Sequence, residues 1–234
     1  MKRFLPLLFI LHMTQAQLIS LNFDETNELN YIKSVLTSVS LGSGNHANID
    51  QEGKRFIAGV SLVYTTGLSG LKTGEQSRGG FPLLTGRLLV SNNFYFQGKL
   101  SGFSSDKGLN QFTGWGFVLH LSDDQNHSQW KLSSNFSIIN SPRNLHLRGV
   151  DVCVTTERKF GEFMWSLGMG KNNFNARVYS DNLLLYNIQD ENNYIKRVSI
   201  KKPSVTCTVT FALPTKFNFG VKVSVLPSIA TETF

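Results

Sequence analysis

From Arg55 to Val225 the chain repeats large apolar residues at every second position, in stretches of roughly ten residues. In 55–66, Phe56, Ala58, Val60, Leu62 and Tyr64 alternate with Ile57, Gly59, Ser61, Val63 and Thr65. The same period recurs in 93–103, 111–121, 129–139, 161–170, 205–211 and 217–225, with Trp115, Trp130 and Trp165 on the apolar parity. A period of two is the signature of a β-strand with one face unlike the other. Weaker strands are read at 83–91, 145–155, 173–180 and 192–200. Turn residues separate the strands at 91–93, 104–108, 140–144, 171–173 and 214–215. The expectation is about 10–12 antiparallel strands joined mostly by short turns.

Upstream the period changes. Leu29, Ile32, Val35, Leu36 and Val39 recur at spacings of three and four, with Asp24 placed to cap and Gly42-Ser43-Gly44 to stop. The spacing predicts a short amphipathic helix over 24–41. Its stripe suits a plug in a lumen, a membrane surface or the underside of a rim; a first strand is the competing reading. Further upstream, Lys2 and Arg3 precede the apolar run Phe4–Met13 and the small residue Ala16. That is the order of a signal peptide over 1–16, and the run is too short for a membrane helix, which needs about 20 residues. The expected organisation is a leader at 1–16, a helix or plug segment at 17–53, a barrel at 54–226 and a tail at 227–234.

Two all-β architectures fit such strands, a soluble sandwich and a barrel closed within a membrane. The face opposite the aromatics decides between them. It carries Gly, Ser, Thr and Asn rather than the many Lys and Glu of a solvated sheet. Large apolar residues toward lipid and small polar ones toward a lumen are the pattern of a transmembrane β-barrel, whose strands need roughly 9–11 residues to cross. Aromatics near strand ends, among them Tyr64, Phe94, Phe96, Trp130, Phe163, Phe211 and Phe217, suit an interfacial girdle. The fold class expected is therefore all-β, an antiparallel transmembrane β-barrel preceded by a short helix.

Charged residues are only 17% of the chain, below the roughly 25% of soluble domains, which favours the membrane reading. The formal charge is +7, falling to +5 when a leader carrying Lys2 and Arg3 is removed. No basic run exceeds Lys201-Lys202, so a nucleic-acid partner is not expected. Cys153 and Cys207 fall on opposite strand faces, which argues against a disulfide. No phosphate loop, zinc spacing or nucleotide fingerprint is present, so neither a metal nor a cofactor is expected.

The leader, the two-period strands and the terminal Phe234 resemble bacterial outer-membrane barrels. The order of the helix at 24–41, Arg55–Thr66, Phe81-Pro82-Leu83-Leu84, Phe94–Phe103 and Trp115-Gly116-Phe117 is similar to FadL-like outer-membrane proteins of unassigned function. The resemblance implies export to the cell outer membrane, contact with the bilayer and its lipids, and an N-terminal plug. It also implies passive passage or binding of small hydrophobic molecules; the expectation of anionic ones comes from the lumen charges below. The departures are Pro227, which interrupts the last strand, and Phe234, which is off the parity of 217–225.

Candidate lumen-lining residues follow from parity: Arg87, Lys99, His120, Lys131, Asp151, Glu162, Arg177, Arg197 and Lys222. Their cationic excess would favour anions in an open lumen; a closed lumen would pair them with acids and carbonyls. Such a closed barrel would serve as a structural or anchoring element. Arg148 shares the apolar parity, which fits a rim position, a bulge at Gly149, or a lipid phosphate. Ser133, His120 and Asp151 are the residue types of a nucleophilic triad. No nucleophile elbow accompanies them, so an enzyme is not expected. A lipid-modifying barrel and a soluble secreted sandwich are the lesser readings.

Overall fold

The computed structural model describes residues 35–37, 39–40, 55–67, 78–105, 108–121, 128–141, 145–161, 163–179, 195–212, 218–225 and 228–233. They form an all-β structure of one antiparallel sheet. Eight strands run in chain order: β1 (Phe56–Gly67), β2 (Arg78–Ser91), β3 (Phe94–Ser105), β4 (Gly108–His120), β5 (Ser128–Ser141), β6 (Leu145–Phe160), β7 (Phe163–Tyr179) and β8 (Ile195–Ala212). Each pairs with the next. Two shorter strands, β9 (Asn218–Val225) and β10 (Ser228–Thr233), continue the meander. β10 pairs in turn with β1, from Leu62↔Thr233 to Gly67↔Ser228, so the ladder returns to its first strand.

Local chemistry sets the hairpins. β6 and β7 meet at Phe160↔Phe163, and Gly161 takes a φ of 60° between them. A two-residue connection of that hand needs a positive φ, which glycine adopts without steric cost. Elsewhere the strands run further than the turn composition predicts. Lys171-Asn172-Asn173 is no turn but the middle of β7, with Asn172 buried on one face and its neighbours exposed on the other. Where a strand is polar on both faces, its residues look like turn residues in sequence. β8 likewise runs through Pro203. Here the strand is paired with β7, while its β9 pairing starts only at Val205↔Val225. Strand proline is tolerated where one edge is unpaired. The segment read as a tail from 227 supplies β10; Phe234 lies outside the described residues.

The two faces divide cleanly. Phe56, Val60, Leu88, Leu100, Trp115 and Met169 are exposed, Phe56 at 64% and Met169 at 73%. Trp115 stacks on Phe136 of β5 at 4.4 Å and lies 6.3 Å from Phe96 of β3, so an aromatic row crosses three strands on the exposed face. Exposed Phe56, Trp130, Phe160 and Phe163 mark one end of the sheet, where β1, β5 and β7 begin. Phe217 of the expected girdle lies outside the described residues.

The opposite face is buried. At the end away from the aromatic one it holds an apolar cluster including Phe81, Phe103, Phe112, Phe174 and Ile200. Of the helix expected over 24–41, residues 35–37 and 39–40 are described; they are helical, and Val35, Leu36 and Val39 are buried in this same cluster. The rest of that span, like the leader at 1–16, lies outside the described residues.

The fit is close. A Cβ on Gly149 would stand 2.2 Å from the ring of Phe174, its partner on β7. Overpacking of this kind costs about 1–3 kcal/mol. Gly149→Ala is therefore expected to lower unfolding stability by that amount in a urea titration. Combining it with Phe174→Leu should recover part of the loss.

Candidate functional site in the sheet interior

The candidate site is the inward face between the apolar cluster and the aromatic end. Unbroken strands fix which candidates reach it. Arg87, Lys99, Lys131 and Asp151 do, and all four are buried. His120 has the same parity and is half-buried, its ring 5.1 Å from that of Tyr95. The stem of Lys99 lies over Gly114, and its ammonium sits 5.6 Å from the Phe112 ring centroid, within cation–π range. A side chain on Gly114 would occupy the space that the Lys99 stem fills.

Arg177 and Arg197 do not reach the interior. Both are exposed and face each other across β7 and β8 on the outer face. The misplacement has one cause. A turn at 171–173 would reset the parity of β7, but the strand is continuous, so Arg177 takes the parity of Phe163 and Met169. Continuity through Pro203 gives Arg197 the parity of Val205 and Val209 in the same way. Glu162 lies outside the described residues. Lys222 is on β9 between Thr208 and Glu232, and its side chain is not among those described. Arg148 is exposed on the outer face, and the ladder passes Gly149 with no shift on either side. Cys153 is buried and Cys207 exposed, on opposite faces as parity requires.

The centre of the site is an ion pair. Lys131 donates from Nζ to Glu157 Oε2 at 2.5 Å, and the two side chains are 1% and 3% exposed. Glu157 lies outside the weak strand read at 145–155. Its parity with Asp151 is the signal that identifies it, once β6 is extended. Lys131 is in register with Thr155, so Glu157 is its diagonal neighbour, within reach of a long side chain. An amide pair shares this face: Gln97 donates from Nε2 to Asn135 Oδ1, reaching from β3 to β5. Gly116, between these strands, leaves room for it, since a Cβ there would be 2.7 Å from Asn135 Oδ1. Amides carry no charge pattern in the sequence, and reading the interior by ionisable residues alone passes over them.

Among the described residues, the buried Lys, Arg, Asp and Glu side chains on this face are three cations, Arg87, Lys99 and Lys131, and two acids, Asp151 and Glu157. That is close to balance, not the cationic interior that Arg177 and Arg197 would have made. The layer is also shut. Gln97, Lys131, Asn135, Asp151, Ser166, Thr206 and Thr208 are each no more than 3% exposed. Residues lining a water-filled channel would keep accessible surface.

Of the triad residue types, Ser133 Oγ donates to the Cys153 carbonyl at 3.3 Å. Among the described residues no group of three His, Cys, Asp or Glu is placed to hold a metal. No protein-family model matches the chain, and no curated protein matches it in sequence.

Removing one member of a buried ion pair leaves an uncompensated charge, at about 3–5 kcal/mol, whereas replacing both with apolar residues is far milder. Lys131→Met is expected to destabilise the protein by that amount in urea unfolding. Lys131→Met/Glu157→Met should be clearly more stable than the single variant.

Proposed function

We propose that this chain is a membrane-spanning β-barrel with a sealed lumen, exported to the outer membrane, where it acts as a structural or anchoring barrel and not as an open pore. The observation that carries this reading is the inversion of the two faces. Large apolar and aromatic side chains are exposed over most of the sheet, while Lys99, Lys131, Asp151, Glu157, Gln97 and Asn135 are buried. Soluble monomers rarely expose contiguous apolar patches beyond a few hundred Å². A hydrocarbon surround turns that cost into stabilisation, and it requires a ladder without free edges, which the β1–β10 pairing supports. The aromatic end suits an interfacial girdle. Among the described residues no helix is long and apolar enough to cross a membrane, so in this reading the crossing falls to the strands.

Sealing is supported at two levels. Val35, Leu36 and Val39 fill the apolar end, and the Lys131–Glu157 layer fills the polar part. The second reading, passage of small hydrophobic or anionic molecules as in FadL-like proteins, needs both levels to move. Its support is the position of the helical residues, which belong to a segment separate from the strands.

Cell fractionation, electrophoresis with and without boiling, and planar-bilayer recording test the proposal together. The expected result is recovery with the outer membrane, heat-modifiable migration and no conductance steps. Recovery in the aqueous fraction without detergent overturns the membrane reading. Discrete conductance from a heat-modifiable protein overturns only the seal and favours passage.

A further inference from the structure

The outer face of β6–β8, at the end away from the aromatic residues, changes character abruptly. Below it lie Val152, Met169 and Val205. Beyond them the exposed positions become Lys171, Asn173, Asn175 and Arg177 on β7, Arg197 and Lys201 on β8, and Arg148 on β6. We infer that this cationic face binds the phosphate of a membrane-lipid headgroup. The inference rests on the proposed membrane reading and adds a ligand to it.

Three observations carry it. The first is register. His146, Arg177 and Arg197 form one row across three strands, and Arg148, Asn175 and Ser199 form the next. Neighbouring strands are about 4.8 Å apart, so Arg177 and Arg197 are directly opposed like charges. Such pairs are destabilising unless an anion lies between them. The second is composition. Among the described residues, the outward positions of β5–β8 in this region include no Asp or Glu, and Asp151 is buried on the inner face. Arginine forks with amides beside them match the several oxygens of a phosphate.

The third is depth. Among the described residues β8 has no partner on its β9 side before Val205. The exposed positions turn from apolar to cationic between Met169 and Lys171 on β7 and between Val205 and Lys201 on β8, so in the membrane reading this level is the edge of the acyl region. The cations therefore sit where lipid phosphates sit. A nucleic acid or acidic protein would meet the same charges, but the continuity with the apolar band favours a ligand whose tails lie on that band.

The test is native mass spectrometry of the purified full chain in neutral maltoside micelles titrated with phosphatidic acid. Wild-type protein is expected to carry the lipid. Arg177→Gln/Arg197→Gln should weaken binding by about tenfold or more, the scale of one lost charge-assisted contact. Lys171→Gln/Lys201→Gln should weaken it less. Arg158→Gln, an exposed cation near the aromatic end, should bind as wild type. Heat-modifiable migration of each variant establishes that it is folded in the membrane form. Its loss in the wild type would instead mark failure of the membrane reading. Equal binding by the folded double Arg variant overturns the inference. So does displacement by inorganic phosphate at the lipid's own concentration, or tighter binding of an RNA oligonucleotide or an acidic peptide to this face.

Discussion

Everything in this protein depends on an uninterrupted antiparallel ladder. A strand places successive side chains on opposite faces, and a slip of one residue would exchange the faces entirely. The ladder pairs each strand with the next without a shift, apart from one irregularity between Leu89 and Ser91. Phe56 and Met169, more than a hundred residues apart, can therefore belong to one apolar surface while Lys131 and Asp151 share one interior. Backbone pairing also leaves no choice about where polar side chains go. With much of the outer face apolar, polar side chains collect inside, where Lys131 pairs with Glu157 and Gln97 with Asn135.

That satisfaction explains why the interior is filled. Side chains take up the buried face of the sheet, and glycines trim the fit further. A Cβ on Gly168 would stand 2.5 Å from Thr206 Oγ1, and one on Gly170 2.6 Å from the Val152 carbonyl. Interiors this close cannot admit solute without displacing side chains. The Lys131–Glu157 pair adds resistance, since separating two buried charges costs more than their assembled net stabilisation. The apolar end works differently. Val35, Leu36 and Val39 pack there by dispersion and burial, which are not directional, so this end would yield more readily than the ionic layer.

Alternation in β1, β3, β4 and β5 was legible because each carries large apolar residues on one parity throughout. The inward placement of Lys99 on β3 and Lys131 on β5 followed from it. Legibility failed where both faces are polar. At Lys171-Asn172-Asn173 the residues that favour turns are also those that serve a strand above the apolar band, and composition does not separate the two. One false turn then moved Arg177 to the wrong face, because parity errors propagate along the rest of a strand. Glu157 was missed through a strand ended too early. Gln97 and Asn135 were missed because an amide on a polar parity looks like any small polar residue. β10 was hidden by Pro227 and by a short, weakly apolar sequence.

The two ends of the sheet are different physical environments. The aromatic end carries exposed rings, Phe56, Trp130, Phe160 and Phe163. The opposite end rises on β6–β8 well past the last apolar residue, and falls short on β9 and β10. β1 ends and β2 begins at that end, as β7 ends and β8 begins there. Among the described residues, this uneven end leaves β8 before Val205 without a partner on its β9 side. The same stretch brings Arg177 and Arg197 together without an acid between them. The cations at this end and the strand edge beside them thus have one origin: β6–β8 run on past the last exposed apolar residues, Met169 and Val205, into a polar stretch.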